Sequence, residues 1–184
     1  MTQFEFVQVT LVIILGLGLT DLLRNLGEQF RHRKEIDVCW LQILASWLLL
    51  SVILIVNLWS FWSTSGVDWT LLLFVLQAGS AVALALSAQF IKVDLSSSKP
   101  LADQYFDNSL ATYSLWAASP IFTLLFSLAT DSLSSVDASR IIVVILLISM
   151  GFIRKPIYHA IVLSTLLFIV VVIAPTIGGL ITSL

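Results

Sequence analysis

Asp21 is a carboxylate in a segment whose apolar character has not yet ended: Leu15 to Glu35 reads LGLGLTDLLRNLGEQFRHRKE. An acid so placed has two kinds of chemistry open to it. Facing a water-filled vestibule, it serves as an ion or proton site. At a lipid boundary it pairs with a cation, and Arg24 at i+3 lies on the same helical face. Arg24–Glu28, Glu28–His32 and Arg31–Glu35 follow at i+4, a ladder that carries the first helix beyond its apolar part. The other polar groups set deep in apolar runs are Gln42, Ser46, Asn57 and Gln77. Such groups tie helices together in lipid or, when clustered, line a polar path. Asp21, Arg24, Asn57 and Gln77 are the candidates for a path.

Other chemistries lack their residues. No Lys, Arg, Glu or His falls near the middle of an apolar segment, so a buried Schiff-base lysine is absent. His32 lies in a polar stretch and His159 stands alone in its segment, so paired axial haem ligands are missing. The single cysteine, Cys39, forms no zinc spacing and no internal disulfide. GLGLTD lacks the third glycine and the strand of a dinucleotide loop. Serines are numerous, yet none pairs with a base in a known catalytic spacing. The expectation is a non-enzyme without cofactor or metal, with no nucleic-acid partner.

The elements that carry these residues follow from composition. Of 184 residues, 59% are hydrophobic and 11% charged, against about 25% charged in a soluble domain. No soluble domain of this size has interior enough for that apolar surface, so the solvent is expected to be lipid. A span takes about 20 mostly apolar residues, and six segments qualify: about 4–23, 38–60, 69–92, 112–130, 136–153 and 157–181. Their apolar runs are continuous rather than alternating, which predicts an all-α membrane bundle in one domain over 1–184. The N-terminus has no basic region and carries Glu5, so the first segment is expected to be a retained span.

Six spans put Arg24, Arg31, Arg33, Lys34, Lys92, Lys99, Arg154 and Lys155 on one side, leaving only Arg140 of nine basic residues on the other. The positive-inside rule places that side in the cytoplasm and both termini outside. Trp59, Phe61, Trp62 and Trp69 suit the outer head-group level, as Trp40, Tyr105, Tyr113, Trp116 and Tyr158 suit the inner one. Asp68 is the expected cap of the third helix, and Ser135 with Asp137 of the fifth. Between 93 and 112, Leu101, Tyr105, Phe106 and Leu110 would form one stripe on a short interfacial helix, with an irregular loop as the alternative.

Gly16, Gly18, Gly79 and Ala83, with Ser80 and Ser87, are expected at close helix contacts, because small residues let backbones approach in lipid. Pro120, and Pro175 with Gly178 and Gly179, are candidate hinges. Arg31, Arg33 and Lys34 would dock lipid head groups or a protein. The preferred reading is a homo-oligomer in the cell or inner membrane, forming a channel- or transporter-like path for an ion or small solute. The alternative is a non-enzymatic anchor or regulatory subunit for a cytoplasmic protein.

Overall fold

The computed structural model describes residues 2–31, 39–58, 67–92, 94, 97, 99–133 and 135–173, the side chains of 56–58, 135, 136, 172 and 173 excepted. Among the described residues the chain is helical with no strand. We label the helices α1 (Gln3–Arg31), α2 (Trp40–Ser51), α3 (Leu71–Phe90), α4 (Leu101–Ala129), α5 (Ser135–Phe152) and α6 (Pro156–Phe168). Two of them run on as π-helix: α2 into Val52–Leu58 and α6 into Ile169–Ile173. These two π segments touch.

Local sequence explains the ends. Thr2 and Glu5 form a reciprocal capping box, with Glu5 N donating to Thr2 Oγ1 at 3.2 Å and Thr2 N to Glu5 Oε2 at 2.8 Å. At α3 the cap is Thr70, whose Oγ1 accepts from Leu73 N at 3.3 Å, rather than the expected Asp68. Helix α4 stops in a Schellman motif: Ser132 N donates to Ser127 O at 3.0 Å and Asp131 N to Leu128 O at 3.4 Å. That motif puts Asp131 in the left-handed region, at φ 50°. Pro156 opens α6, where its missing N–H is no loss.

Three helices, α1, α3 and α4, are long and apolar enough to cross a membrane. The apolar stretches Trp40–Ile55 and Pro156–Val171 are shorter. One sequence boundary changes: 101–129 is a single helix, so no separate interfacial helix precedes a span at 112. Its Leu101 and Tyr105 are buried while Leu110 is exposed, so the proposed stripe turns inward at one edge. Tyr113 and Trp116 are also interior, facing neighbouring helices.

Packing follows a ring: α1 meets α2 and α3, α4 sits between α3 and α5, and α6 closes against α2 and α5. Direction alternates along the chain. Phe6 near the start of α1 touches Phe74 near the start of α3, and Trp69 before α3 touches Phe126 near the end of α4. At the opposite pole Gln42 of α2 reaches Ile91 just past α3, and Tyr105 of α4 reaches His159 of α6. We call these the Trp69 pole and the His159 pole.

Small residues set the closest approaches. A Cβ on Gly18 would lie 2.8 Å from Ala85 Cα, and one on Gly79 3.0 Å from the Phe122 ring. Gly151 packs as closely on Leu110, a contact with no counterpart in the sequence reading. Ala83 is buried at the same α3 face. Gly16, by contrast, has nothing within 4 Å of a built Cβ, so it is not a packing residue within this chain. Pro120 lies inside an unbroken α4, so the hinge expected there is not a helix break. Pro175, Gly178, Gly179, Arg33 and Lys34 fall outside the described residues.

Candidate functional site: a buried polar seam

Among the described residues, no hydrogen bond or ion pair joins Asp21, Arg24 and Gln77 to one another. Arg24 Nε donates to Glu28 Oε1 at 3.0 Å, so the partner expected to be Asp21 is the carboxylate one turn later. On a helix i+4 brings the longer glutamate alongside the guanidinium, whereas the short Asp21 side chain at i−3 does not reach it. Asp21 and Gln77 are half-buried on α1 and α3. The backbone of Asn57 lies in the first π segment, and its side chain is outside the described residues. Arg31 ends α1, exposed.

A different set of polar groups converges at the His159 pole. His159, fully buried, holds Tyr105 Oη at 2.8 Å through Nδ1 and the Ile153 carbonyl at 2.7 Å through Nε2. Tyr105 Oη lies 2.5 Å from Tyr113 Oη. Because a carbonyl oxygen only accepts, Nε2 carries the hydrogen. With the imidazole neutral, Nδ1 then accepts from Tyr105 O–H, and Tyr105 accepts from Tyr113 O–H. The chain of donors thus runs Tyr113 to Tyr105 to His159 to Ile153. Rings of Phe106, Tyr105, Tyr113 and Tyr158 surround the imidazole edge-on at 5.2, 5.5, 5.5 and 6.3 Å. His159 is therefore not the isolated histidine it is in the sequence.

Beside this chain, Gln42 Nε2 donates to the Ile91 carbonyl, and Asn25 Nδ2 approaches the same oxygen at 3.5 Å. Gln42 Oε1, Ser46 Oγ and both amide atoms of Gln29 are buried with no hydrogen-bond partner among the described residues. Gln42 and Tyr113 also border a cavity of about 10 Å³, which reaches Phe90, Gln104, Asn108, Ser109 and Thr112.

From here a file of hydroxyls follows one face of α4: Ser109, Thr112, Ser119 and Ser127, all buried. The steps of three, seven and eight residues hold them on one side of a helix. Helix α3 answers with Ser80 and Ser87, both fully buried. Ser80 Oγ and Ser119 Oγ meet at 2.8 Å. At the Trp69 pole Arg140 Nη1 donates to Ser127 Oγ at 2.9 Å and also binds Asp137. From Ser109 to Ser127 a helix rises roughly 27 Å, at about 1.5 Å per residue, close to the thickness of a bilayer core. No protein family, curated protein or solved structure matches this chain. Its own geometry carries the functional argument.

The polar first turns of α4 are tied down separately. Asp107 takes Lys99 Nζ at 3.0 Å and lies 3.7 Å from Arg154 Nη1, which joins the α3–α4 and α5–α6 connections. The hydrogen bond and charge of Lys99, helped by Arg154, hold the exposed Asp107 carboxyl below its ordinary value. A depressed carboxyl contributes stability above the unfolded-state pKa and loses it as pH falls. Hydrogen-exchange protection factors near residues 99–107 and 153–155, which take out the intrinsic slowing of exchange in acid, should therefore fall when pH drops through the Asp107 titration. In Asp107→Asn they should be low throughout; equal pH dependence in that variant would reject the assignment.

Proposed function

We propose that the chain is an integral membrane protein whose helices span the bilayer as a six-helix bundle, moving an ion or small solute along the α3–α4 seam. The observation that carries this reading is the file of buried hydroxyls between two helices long and apolar enough to cross a membrane. Burying polar atoms where apolar ones would pack costs free energy unless they are paired. Here they recur along a bilayer's length, and Ser80 and Ser119 close the seam between them by a direct hydrogen bond.

In this reading the His159 pole faces the cytoplasm, with Lys92, Lys99, Arg154 and Lys155, and both termini face outward. The alternation of the helix ends supports it. The path lies within one copy, and the homo-oligomer expected from the sequence repeats it in each copy.

Purified protein in liposomes should show a selective flux. Ser119→Leu should lower it about tenfold or more, since filling the seam there needs to add only about 1.4 kcal/mol to the barrier. Tight vesicles with the parent chain, or an unchanged flux in Ser119→Leu, would sink the proposal. One observation favours the anchor reading instead: α1 ends in exposed Phe30 and Arg31, past the apolar stretch. A stoichiometric partner recovered from mild detergent, and lost when Arg31, Arg33 and Lys34 become Gln, would decide for it.

A further inference from the structure

The cavity at the His159 pole is rich in hydrogen-bond acceptors. Three of the buried residues that line it have hydrogens engaged elsewhere. Gln42 spends an N–H on the Ile91 carbonyl, leaving Oε1 unpaired in the interior. Ser109 Oγ donates to the Phe106 carbonyl at 2.8 Å, which leaves its lone pairs. Tyr113 gives its hydrogen to Tyr105, because the carbonyl at Ile153 fixes the direction of the chain through His159. What these three residues keep uncommitted are an amide oxygen, a hydroxyl oxygen and a phenolic oxygen, all acceptors. Gln42 and Ser109 are each 2% exposed and Tyr113 is fully buried, so these oxygens have no bulk water to turn to.

A volume of about 10 Å³ is the space of one water-sized guest. Phe90 adds an aromatic residue to the lining. We propose that this cavity is a binding site for a water-sized hydrogen-bond donor of the ammonium class. An ion that donates four hydrogens suits three acceptors around one small cavity better than a metal cation, which takes six or more oxygens. Lys92 also borders the site, but its side chain is exposed and sets only the charge at the mouth. As the substrate class of the α3–α4 path this rests on the transport reading; as a binding site it does not.

The test is thermal unfolding of the full chain in lipid nanodiscs, followed by tryptophan fluorescence at constant ionic strength. Ammonium chloride at about tenfold its Kd should raise the midpoint by roughly 3–6 °C. Potassium, sodium and tetramethylammonium chlorides should not. Ser109→Ala, which removes one acceptor and little volume, should weaken ammonium binding about five- to tenfold with unchanged circular dichroism. Gln42→Leu should abolish the shift. A shift of the same size with potassium would overturn the donor assignment, and no shift with ammonium would overturn the site. An undiminished response in Ser109→Ala and Gln42→Leu would do the same. The transport reading fails separately: an ammonium shift without flux keeps the site and removes the path, while flux of other solutes without a shift does the reverse.

Discussion

Gly18→Ala should destabilise the protein by about 1–3 kcal/mol, the usual cost of forcing a methyl group into a packed contact. The added Cβ would stand 2.8 Å from Ala85 Cα and 3.1 Å from Ala85 Cβ. Neither atom belongs to a flexible side chain that could turn aside, so α1 and α3 must separate. That separation also disturbs the neighbouring contacts of Leu15 and Leu22, both buried. Gly16→Ala is the matched control: it adds the same group one residue pair away, into open space. There the only change is helix propensity, worth up to about 1 kcal/mol in favour of alanine. Unfolding of both variants by graded denaturing detergent should move the midpoints in opposite directions. Equal shifts would mean that α1 and α3 do not meet at Gly18.

The same glycine pair shows what the sequence holds and what it hides. A helix is legible at once, because a continuous apolar run of about 20 residues is too long for a buried strand. Residues i and i+2 then face away from one another, so at most one of Gly16 and Gly18 meets α3. Leu11, Leu15, Gly18 and Leu22 are the buried line, but their exposed neighbours Val12, Ile13 and Leu17 are equally apolar. With lipid as the expected solvent the outer face carries no polar mark, and the inner stripe is invisible.

Charge misleads in a related way. Asp103 and Asp107 read as a loop, yet nothing between Leu101 and Ala129 stops a helix, and Pro120 does not break it. Thr2 and Glu5, by contrast, form a capping box readable from T-Q-F-E alone. The polar seam was partly legible: Ser80 and Ser87 mark the α3 face, while Ser109 falls into line with Ser119 and Ser127 only once α4 is one helix. The Tyr105–His159 link joins residues 54 apart and has no local signal at all.

That link carries the second large effect. In His159→Leu the Tyr105 hydroxyl loses its acceptor in the interior and the part-buried Ile153 carbonyl loses its side-chain donor. Each orphaned polar group costs about 1–3 kcal/mol, so the expected loss is roughly 2–4 kcal/mol. For a chain of this size that lowers the unfolding midpoint by roughly 5–15 °C. The turn between α5 and α6 depends on the same contact, since Ile153 lies in it and His159 in the first turns of α6. Proteolysis at residues 153–156 should therefore rise with the loss of stability. His159→Gln restores part of both, because an amide nitrogen can serve Ile153 while its oxygen accepts from Tyr105. A role limited to filling space predicts the reverse order, with Leu better tolerated than Gln. The sharper measurement is a double-mutant cycle with Tyr105→Phe, which removes the hydroxyl that His159 accepts from. If the chain of donors is real, the two losses should fall short of additivity by about 0.5–3 kcal/mol. Additive losses would show that Tyr105 and His159 stabilise the bundle independently, and the hydrogen-bond direction that gives the cavity its acceptor character would lose its basis.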